Sequence, residues 1–190
     1  NGQDVALGQS GEICIKGPNV MPGYYNKPEE NAKTFTADGF MRTGDIGIMD
    51  PEGFTRIVDR KKDMIILSTG QRVAPQKIEN RALMGRYFEN FVILGDQRSH
   101  LGALVTLRRD EIIRFCTERQ ILFSRLPELV NHPKIRALVQ SEIEALNAGL
   151  APHQRIRRFV ILSQPLSVQS GALTHTQKLR RKQILMDIPN

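Results

Sequence analysis

The sequence lacks several features that would place it in particular protein classes. It has no tryptophan, only 6% aromatic residues, and two cysteines, Cys14 and Cys116, among 190 residues. No apolar run approaches the ~18–20 residues that cross a bilayer, and no signal-peptide pattern stands at its start. Neither cysteine has metal-ligand spacing to a second Cys or His. We therefore expect two reduced thiols, no metal site and a cytoplasmic protein.

Charge is unevenly distributed along the chain. Residues 1–59 hold 5 Lys and Arg against 9 Asp and Glu, whereas residues 60–190 hold 22 against 11. A basic half favours an anionic partner such as a nucleotide, a phospholipid surface or nucleic acid. Nucleic acid is the least favoured of these, because aromatics are few and no zinc-finger, RNA-recognition or helix-turn-helix pattern is present.

The opening NGQDVALGQS, which has no initiator Met, indicates a piece of a longer protein.

The pattern of predicted elements changes at the charged stretch VDRKKD. Before it, short alternating runs bounded by Gly and Pro turns predict a β meander with one short helix behind Pro28. After it, helical and strand-like segments alternate, and one apolar stripe after Pro133 has helical spacing. We therefore predict an α+β chain. A small β-rich subdomain covers residues 1–60, and an α+β domain with a small mixed sheet flanked by helices covers residues 61–190.

Three elements are predicted in more detail within the second domain. Pro75 suits the first position of a helix over about residues 75–86. Residues 91–95 and 101–107 flank a polar loop and predict a hairpin. Asp110 is expected to cap the helix that follows.

Three short segments carry side chains suited to an anionic or polyhydroxyl ligand. In RTGDIG, Asp45 is expected at a tight glycine turn between strands, where its two oxygens match a vicinal diol, although capping a turn is the commoner role. Arg60 offers planar donors suited to ribose hydroxyls or phosphate, and a weak surface ion pair is the alternative. Lys178 follows the loop GALTHTQ and can present a point charge to an anion. The basic residues after it, typical of a solvated tail, are Arg180, Arg181 and Lys182.

The chain shows no self-sufficient active site. The four histidines have no acid–base spacing, and no Ser/His/Asp set, paired carboxylates or metal cluster can be recognised. The glycines Gly44, Gly47 and Gly70 do not form a Walker-type phosphate loop. The candidate residues are therefore ligand contacts that need a further partner.

Five segments, taken in order, resemble the C-terminal end of the adenylate-forming enzymes, the superfamily of acyl-CoA synthetases, luciferases and peptide-synthetase adenylation domains. These segments are GEICIKGPNVMPGYYNKPEENAKTF, DGFMRTGDIG, EGFTRIVDRKKDMI, STGQRVAPQKIE and GALTHTQKLRR. The phrases VAPQKIEN, VQSEIEALNAGL and LTHTQKLRR are similar to the long-chain fatty acyl-CoA synthetase branch. The resemblance covers essentially the whole chain.

The resemblance implies a role for five residues. Asp45 matches the aspartate that binds the ribose hydroxyls of ATP and AMP, and Arg60 matches an arginine that also approaches the ribose. Lys62 falls at the hinge, near residues 60–63, about which a mobile C-terminal lid turns between adenylate-forming and thioester-forming states. Gly70 falls in the loop that lines the pantetheine tunnel of CoA. Lys178 matches the mobile catalytic lysine that reaches the α-phosphate and the carboxylate during adenylation.

The chain also departs from the family pattern. Thr69 precedes Gly70 where many long-chain members have two glycines, and His175 stands where proline is common. The phosphate loop, the Thr-Glu motif for Mg²⁺ and the acyl tunnel belong upstream and are absent. The resemblance thus implies a fragment, inactive alone, of a long-chain fatty acid–CoA ligase whose substrates are a fatty acid, ATP and CoA, and whose Mg²⁺ is bound by the absent N-terminal part.

Two alternatives stay open at this stage. One is another acyl- or aryl-adenylating ligase of the same superfamily, including one that transfers its product to a carrier protein. The other is a basic module that binds anions or nucleic acid. Peripheral association with a membrane is also left open, and residues 1–59 are expected to expose apolar surface without their parent domain.

Overall fold

The computed structural model describes residues 4–176 and 179–186. The chain divides into two compact units, Asn1–Met64 and Ile65–Asn190. Helices and strands occur together in both units, so the prediction of an α+β fold is confirmed.

The first unit is built around an antiparallel sheet in which three strands pair in sequence order. The strands are β1 (Ser10–Ile15), β2 (Met41–Met49) and β3 (Thr55–Arg60). Helix α1 (Pro28–Thr34) lies between β1 and β2 in sequence, and proline stands at its start, where the missing N–H costs no hydrogen bond. A short 3₁₀ helix, Lys61–Asp63, follows β3.

The first unit leaves large apolar side chains in solvent. Tyr25, Phe54 and Ile57 are 92%, 75% and 62% exposed. Of these three residues only Ile57 lies in a strand. Their exposure agrees with the expectation that residues 1–59 expose apolar side chains.

Among its described residues, the second unit contains five strands, four α-helices and two 3₁₀ helices, Leu126–Asn131 and Pro152–Gln154. A two-stranded ribbon pairs β4 (Ile65–Ile66) with β5 (Arg72–Val73). The other strands, β6 (Phe88–Leu94), β7 (Leu101–Leu107) and β8 (Ile156–Ile161), form a sheet in that order, antiparallel between β6 and β7 and parallel between β7 and β8. The helices are α2 (Pro75–Leu83), α3 (Arg109–Glu118), α4 (Pro133–Ala148) and α5 (Arg181–Met186).

Strands β6 and β7 of the mixed sheet carry buried side chains on both faces. Successive side chains of a strand point to opposite faces, and in β6 Phe91 and Ile93 belong to the main core, which includes residues of α2, α3 and α4. Val92, between them, joins Leu104 in a second, smaller cluster. The other buried members of that cluster are Ala172 and Ile184, so the C-terminal segment, whose described residues are 172–176 and 179–186, covers part of the second face of the sheet.

Two predicted helix ends differ from the observed ones. Helix α2 ends at Leu83, because the guanidinium of Arg108 donates to the carbonyl oxygens of Leu83 at 2.8 Å and of Gly85 at 2.7 Å. Such bonds satisfy carbonyl groups that a helix leaves unpaired at its end. The prediction that Asp110 caps α3 is wrong, because the N-cap of α3 is Arg108. Asp110 lies in the first turn of the helix, where its negative charge interacts favourably with the helix dipole.

The two thiols differ in accessibility, which gives the first testable prediction. Cys14 is exposed, whereas Cys116 is 1% exposed. Partial burial, helped by the neighbouring carboxylate of Glu12, raises the pKa of the Cys14 thiol, and burial raises the pKa of Cys116. We expect a thiol reagent to label Cys14 in the folded chain and Cys116 only after unfolding. The labelling rate of Cys14 should still be rising above pH ~8.5, the ordinary pKa of a thiol.

The matched control is Cys14→Ser, which should leave no thiol that reacts before unfolding. Mass spectrometry of labelled peptides at increasing urea concentrations identifies the modified cysteine. Rapid labelling of Cys116 in native buffer would contradict its buried position in α3.

Candidate functional site

The strand register of the first unit brings Asp45 and Arg60 together. The two residues are partners across β2 and β3, and Arg60 Nε lies 3.3 Å from Asp45 Oδ1. Their side chains remain 53% exposed for Arg60 and 26% exposed for Asp45. An ion pair this exposed contributes only about 0.2–1 kcal/mol to stability, so an incoming ligand can replace it at little cost.

The backbone around Asp45 is irregular, and hydrogen bonds of Thr43 fix it in place. Gly44 has φ +74, a conformation that favours glycine. The hydroxyl of Thr43 donates to the carbonyl oxygen of Ile13 at 2.8 Å and accepts from the N–H of Asp45 at 3.1 Å. The expectation that Asp45 follows a turn between two strands is wrong, because β2 continues on both sides of Gly44.

The position of Arg60 is held by its neighbour in the chain. Asp59 is 2% exposed, and its Oδ1 accepts a hydrogen bond of 2.7 Å from the backbone N–H of Arg60. Sequence reasoning assigned no role to Asp59. Its position in strand β3 is a signal for a structural role, since a buried carboxylate in a strand requires a partner.

An open cavity of about 300 Å³ lies beside this pair. Its lining residues are Thr43, Gly44, Arg60, Lys61 and Lys62. Lys61 Nζ is 2.7 Å from Glu12 Oε2, whereas Lys62 is exposed in the short 3₁₀ helix. Three cationic side chains and one accessible carboxylate provide both charge for phosphate and acceptors for hydroxyl groups. The first unit therefore brings together three of the five predicted residues, namely Asp45, Arg60 and Lys62.

Gly70 lies in the second unit, in the tight loop that joins β4 to β5. Its φ is +82, and its N–H donates to the carbonyl oxygen of Leu67 at 2.8 Å. A Cβ built at Gly70 would meet nothing within 4 Å. The turn conformation alone therefore requires glycine here, and the space in front of the residue is open.

Lys178 lies outside the described residues. The basic residues after it were expected to form a solvated tail, and for Arg181 this expectation is wrong. Its side chain is only 18% exposed and forms a two-pronged ion pair with the 5% exposed carboxylate of Glu79. The two N–H···O distances are 2.6 and 2.5 Å. Removing one partner of such a buried pair costs about 3–5 kcal/mol.

Sequence reasoning missed Glu79, although a signal for it exists. The buried residues of α2 are Pro75, Ile78, Glu79 and Ala82, which share one helix face by their spacing. A carboxylate inside an apolar stripe is rarely buried without a cationic or hydrogen-bonding partner. The stripe thus indicates that Glu79 has a partner, but not which residue it is.

Neither a membrane-spanning helix nor a metal cluster occurs in the described part of the chain. Over residues 4–176 and 179–186, none of the helices combines the length and hydropathy needed to span a bilayer. Those residues also contain no group of three or more His, Cys, Asp or Glu placed to hold a metal ion.

Comparison with known proteins gives consistent matches. Residues 62–188 match the AMP-binding enzyme C-terminal domain. The peroxisomal long chain acyl-CoA synthetase 7 of Arabidopsis thaliana is 34% identical over 176 residues, which are 91% of this chain and 25% of the relative. The long-chain-fatty-acid–CoA ligase 1 of Schizosaccharomyces pombe is 31% identical over 182 residues, 92% of this chain and 27% of that protein.

A solved structure shows the same fold. The adenylation domain of a carboxylic acid reductase from Segniliparus rugosus, in complex with AMP and a co-purified carboxylic acid, superposes with a TM-score of 0.76 at 26% identity. The match covers 93% of this chain and 26% of that one. The chain thus spans about a quarter of the length of the proteins it matches.

Proposed function

Because the chain belongs to the family of AMP-binding enzyme C-terminal domains of adenylate-forming enzymes, we propose that it is the C-terminal part of an AMP-forming long-chain fatty acid–CoA ligase. The full-length enzyme activates a fatty acid with ATP to acyl-AMP, releases pyrophosphate and then forms the acyl-CoA thioester. The names of the relatives at 31% and 34% identity support the long-chain acid and CoA as substrates. A cytoplasmic location is part of the proposal.

The Asp45–Arg60 pair is the observation that carries this proposal. In the proposed complex, the two carboxylate oxygens of Asp45 accept hydrogen bonds from the 2′- and 3′-hydroxyls of the ATP ribose. Arg60 turns from Asp45 to donate to the same sugar, which its exposure and the 3.3 Å spacing of the pair permit. The cationic lining of the adjoining cavity favours the polyphosphate end of the nucleotide.

The proposed chemistry proceeds in two displacements. First, a carboxylate oxygen of the fatty acid forms a bond to the α-phosphorus of ATP, and the bond to the leaving pyrophosphate breaks. Negative charge on the phosphoryl oxygens is stabilised by cationic groups, and Lys178 is proposed to supply one such charge. Next, the thiol sulfur of CoA attacks the acyl carbonyl carbon, AMP leaves with the bonding electron pair, and the thiol proton passes to solvent.

A change of position of the second unit is proposed to separate these two steps. Lys178 belongs at the α-phosphate during adenylation, and the loop around Gly70 lines the path of CoA during thioester formation. Lys62 is proposed as the hinge, with residues 61–190 as the mobile lid. The division of the chain into compact units at Met64 and the exposure of Lys62 support this position.

The role of Asp45 is tested by Asp45→Ala in the full-length enzyme. Loss of hydrogen bonds to a charged acceptor costs about 1.5–3 kcal/mol, so we expect ATP to bind about 10–100-fold more weakly. The decisive measurement compares ATP with 2′,3′-dideoxy-ATP by calorimetry. The original protein should prefer ATP, and Asp45→Ala should lose most of this preference and keep only the part that Arg60 contributes.

Glu52→Ala is the matched control, because it removes an exposed carboxylate at the turn end of the same β2–β3 hairpin. It should keep the preference for the ribose hydroxyls. If Asp45→Ala still discriminated between the two nucleotides as strongly as the original protein, the ribose-binding assignment would be wrong.

A further inference from the structure

A network of contacts ties the C-terminal segment to the edge of the mixed sheet. β6 is an outer strand of that sheet, so some of its backbone groups have no strand partner. The N–H of Ile93 donates to Glu79 Oε1 at 2.7 Å, and the carbonyl oxygen of Ile93 accepts from Arg181 Nη1 at 3.1 Å. The ion pair between Glu79 and Arg181 therefore occupies the place of a neighbouring strand at this position.

The residues just before Arg181 are fixed by backbone contacts. Leu173 and Leu179 form an antiparallel bridge, and the N–H of Arg180 donates to the carbonyl oxygen of Ala172 at 2.8 Å. These contacts fix the described residues Ala172, Leu173, Leu179 and Arg180 relative to one another. Lys178 lies outside the described residues and directly precedes Leu179 in the sequence.

Apolar packing holds the same segment from the other side. Ala172 and Ile184 are 4% and 3% exposed, and both join Val92 and Leu104 on the second face of the sheet, with Leu179 packed against them. Apolar contacts of this kind resist separation but do not select one position along the sheet, because the hydrophobic effect is not directional. A two-pronged ion pair selects both position and orientation.

We infer that Glu79 and Arg181 are positioning residues, which hold the chain three residues after Lys178 at one position along β6 and thereby position the lysine for adenylation. This inference rests on the proposed adenylation role of Lys178. Neither Glu79 nor Arg181 touches the reacting atoms; the pair acts through the lysine three residues upstream. Lysine would be a poor substitute for Arg181, because one ammonium cannot bond both carboxylate oxygens and the carbonyl of Ile93 in the fixed fork of a guanidinium.

The inference is tested with Arg181→Met in the full-length enzyme. A displacement of about 1 Å of a reacting group can cost about 10²-fold in rate, so we expect the kcat of acyl-adenylate formation, measured by ATP–pyrophosphate exchange, to fall by about 10–100-fold. The KM for ATP should change by less than about threefold, because the proposed ribose contacts lie on other residues. Thioester formation from supplied acyl-AMP should be retained, since Lys178 is not needed in that step.

Arg180→Met is the matched control. It removes the same charge from the exposed neighbouring residue, and its backbone bond to Ala172 does not depend on the side chain. Both half-reactions should stay close to those of the original enzyme. A selective loss of adenylation in Arg180→Met equal to that in Arg181→Met would overturn the inference, since net charge alone would then explain the effect.

A double-mutant comparison separates positioning from general destabilisation. If Arg181 acts through Lys178, Lys178→Ala with Arg181→Met should be no slower in adenylation than Lys178→Ala alone. Multiplied losses in the double variant would overturn the inference.

Arg181→Lys, which keeps the charge, covers the case in which Arg181→Met does not fold. It should lose adenylation selectively but by less, and equal loss of both half-reactions in Arg181→Lys would also overturn the inference.

Failure of the proposed function gives a different result. In that case Lys178→Ala itself leaves adenylation unchanged, and the assignment of Lys178 is rejected together with any positioning effect. If Lys178→Ala is selective for adenylation and Arg181→Lys is not, the proposed function stands and only the positioning inference is rejected.

Discussion

Replacing Lys178 with alanine in the full-length enzyme is expected to slow acyl-adenylate formation by about 10²–10³-fold, the usual cost of removing one preorganised group that stabilises transition-state charge. Thioester formation from supplied acyl-AMP should be nearly unaffected, because that step proceeds without the lysine at the phosphate. ATP–pyrophosphate exchange measures the first half-reaction, and release of AMP from supplied acyl-AMP and CoA measures the second.

The control for this prediction is Lys77→Ala. Lys77 is exposed on α2 of the second unit, so its removal lowers the net charge equally without touching the proposed machinery. Both half-reactions should continue at their original rates in this variant. A Lys178→Ala enzyme that loses the two half-reactions to the same extent would refute the assignment.

The second large effect is expected from Lys62→Pro in the full-length enzyme. Lys62 is the central residue of the short 3₁₀ helix between β3 and β4. Proline restricts φ at its own position and disfavours helical torsions at the preceding residue. A restriction worth about 3 kcal/mol corresponds to about 10²-fold in rate. It should slow only the half-reaction that requires backbone torsions at residues 61 and 62 which proline does not allow.

Lys62→Ala removes the same side chain while leaving the backbone torsions unrestricted. Because Lys62 also lines the cationic cavity, any loss in this variant should appear as weaker binding of ATP, and at saturating ATP neither half-reaction should be lost selectively. Single-turnover measurements of both steps, made on both variants, separate the backbone effect from the side-chain effect. If Lys62→Pro retained both half-reactions at full rate, residues 60–63 would be an ordinary linker.

The individual residues of the candidate site were predictable to different degrees. Asp45 and Arg60 were both predicted as candidate ligand contacts from short motifs, because the flanking glycine and charged residues are local signals, and their role at a ribose stays a prediction from the family resemblance. Their contact across β2 and β3 was not predicted, since it depends on a strand register that includes an irregularity between Ile46 and Gly47. The prediction that Gly70 lines the CoA path stays a prediction, because its turn geometry alone explains the glycine.

The fold shows the same distinction between local and distant effects. Proline at the starts of α1, α2 and α4 is a local signal, and all three helices were predicted from it and from apolar periodicity. The end of α2 was misplaced because the guanidinium of Arg108, 25 residues beyond Leu83, binds the carbonyl groups there. A distant donor of this kind leaves no mark in the residues of the helix itself.

The sequence alone therefore determined the family resemblance, the α+β class, the change in charge near residue 60 and the chemical types of the candidate ligand contacts. These follow from residue identities, short spacings and local backbone preferences. Only the tertiary structure decided which charges are solvated and which are paired. The stripe of α2 indicates a partner for Glu79, but Arg181, 102 residues away, looks like an ordinary surface charge in the sequence. Burial between α2, α5 and β6 joins the two side chains, because their separation from water requires each to satisfy the other.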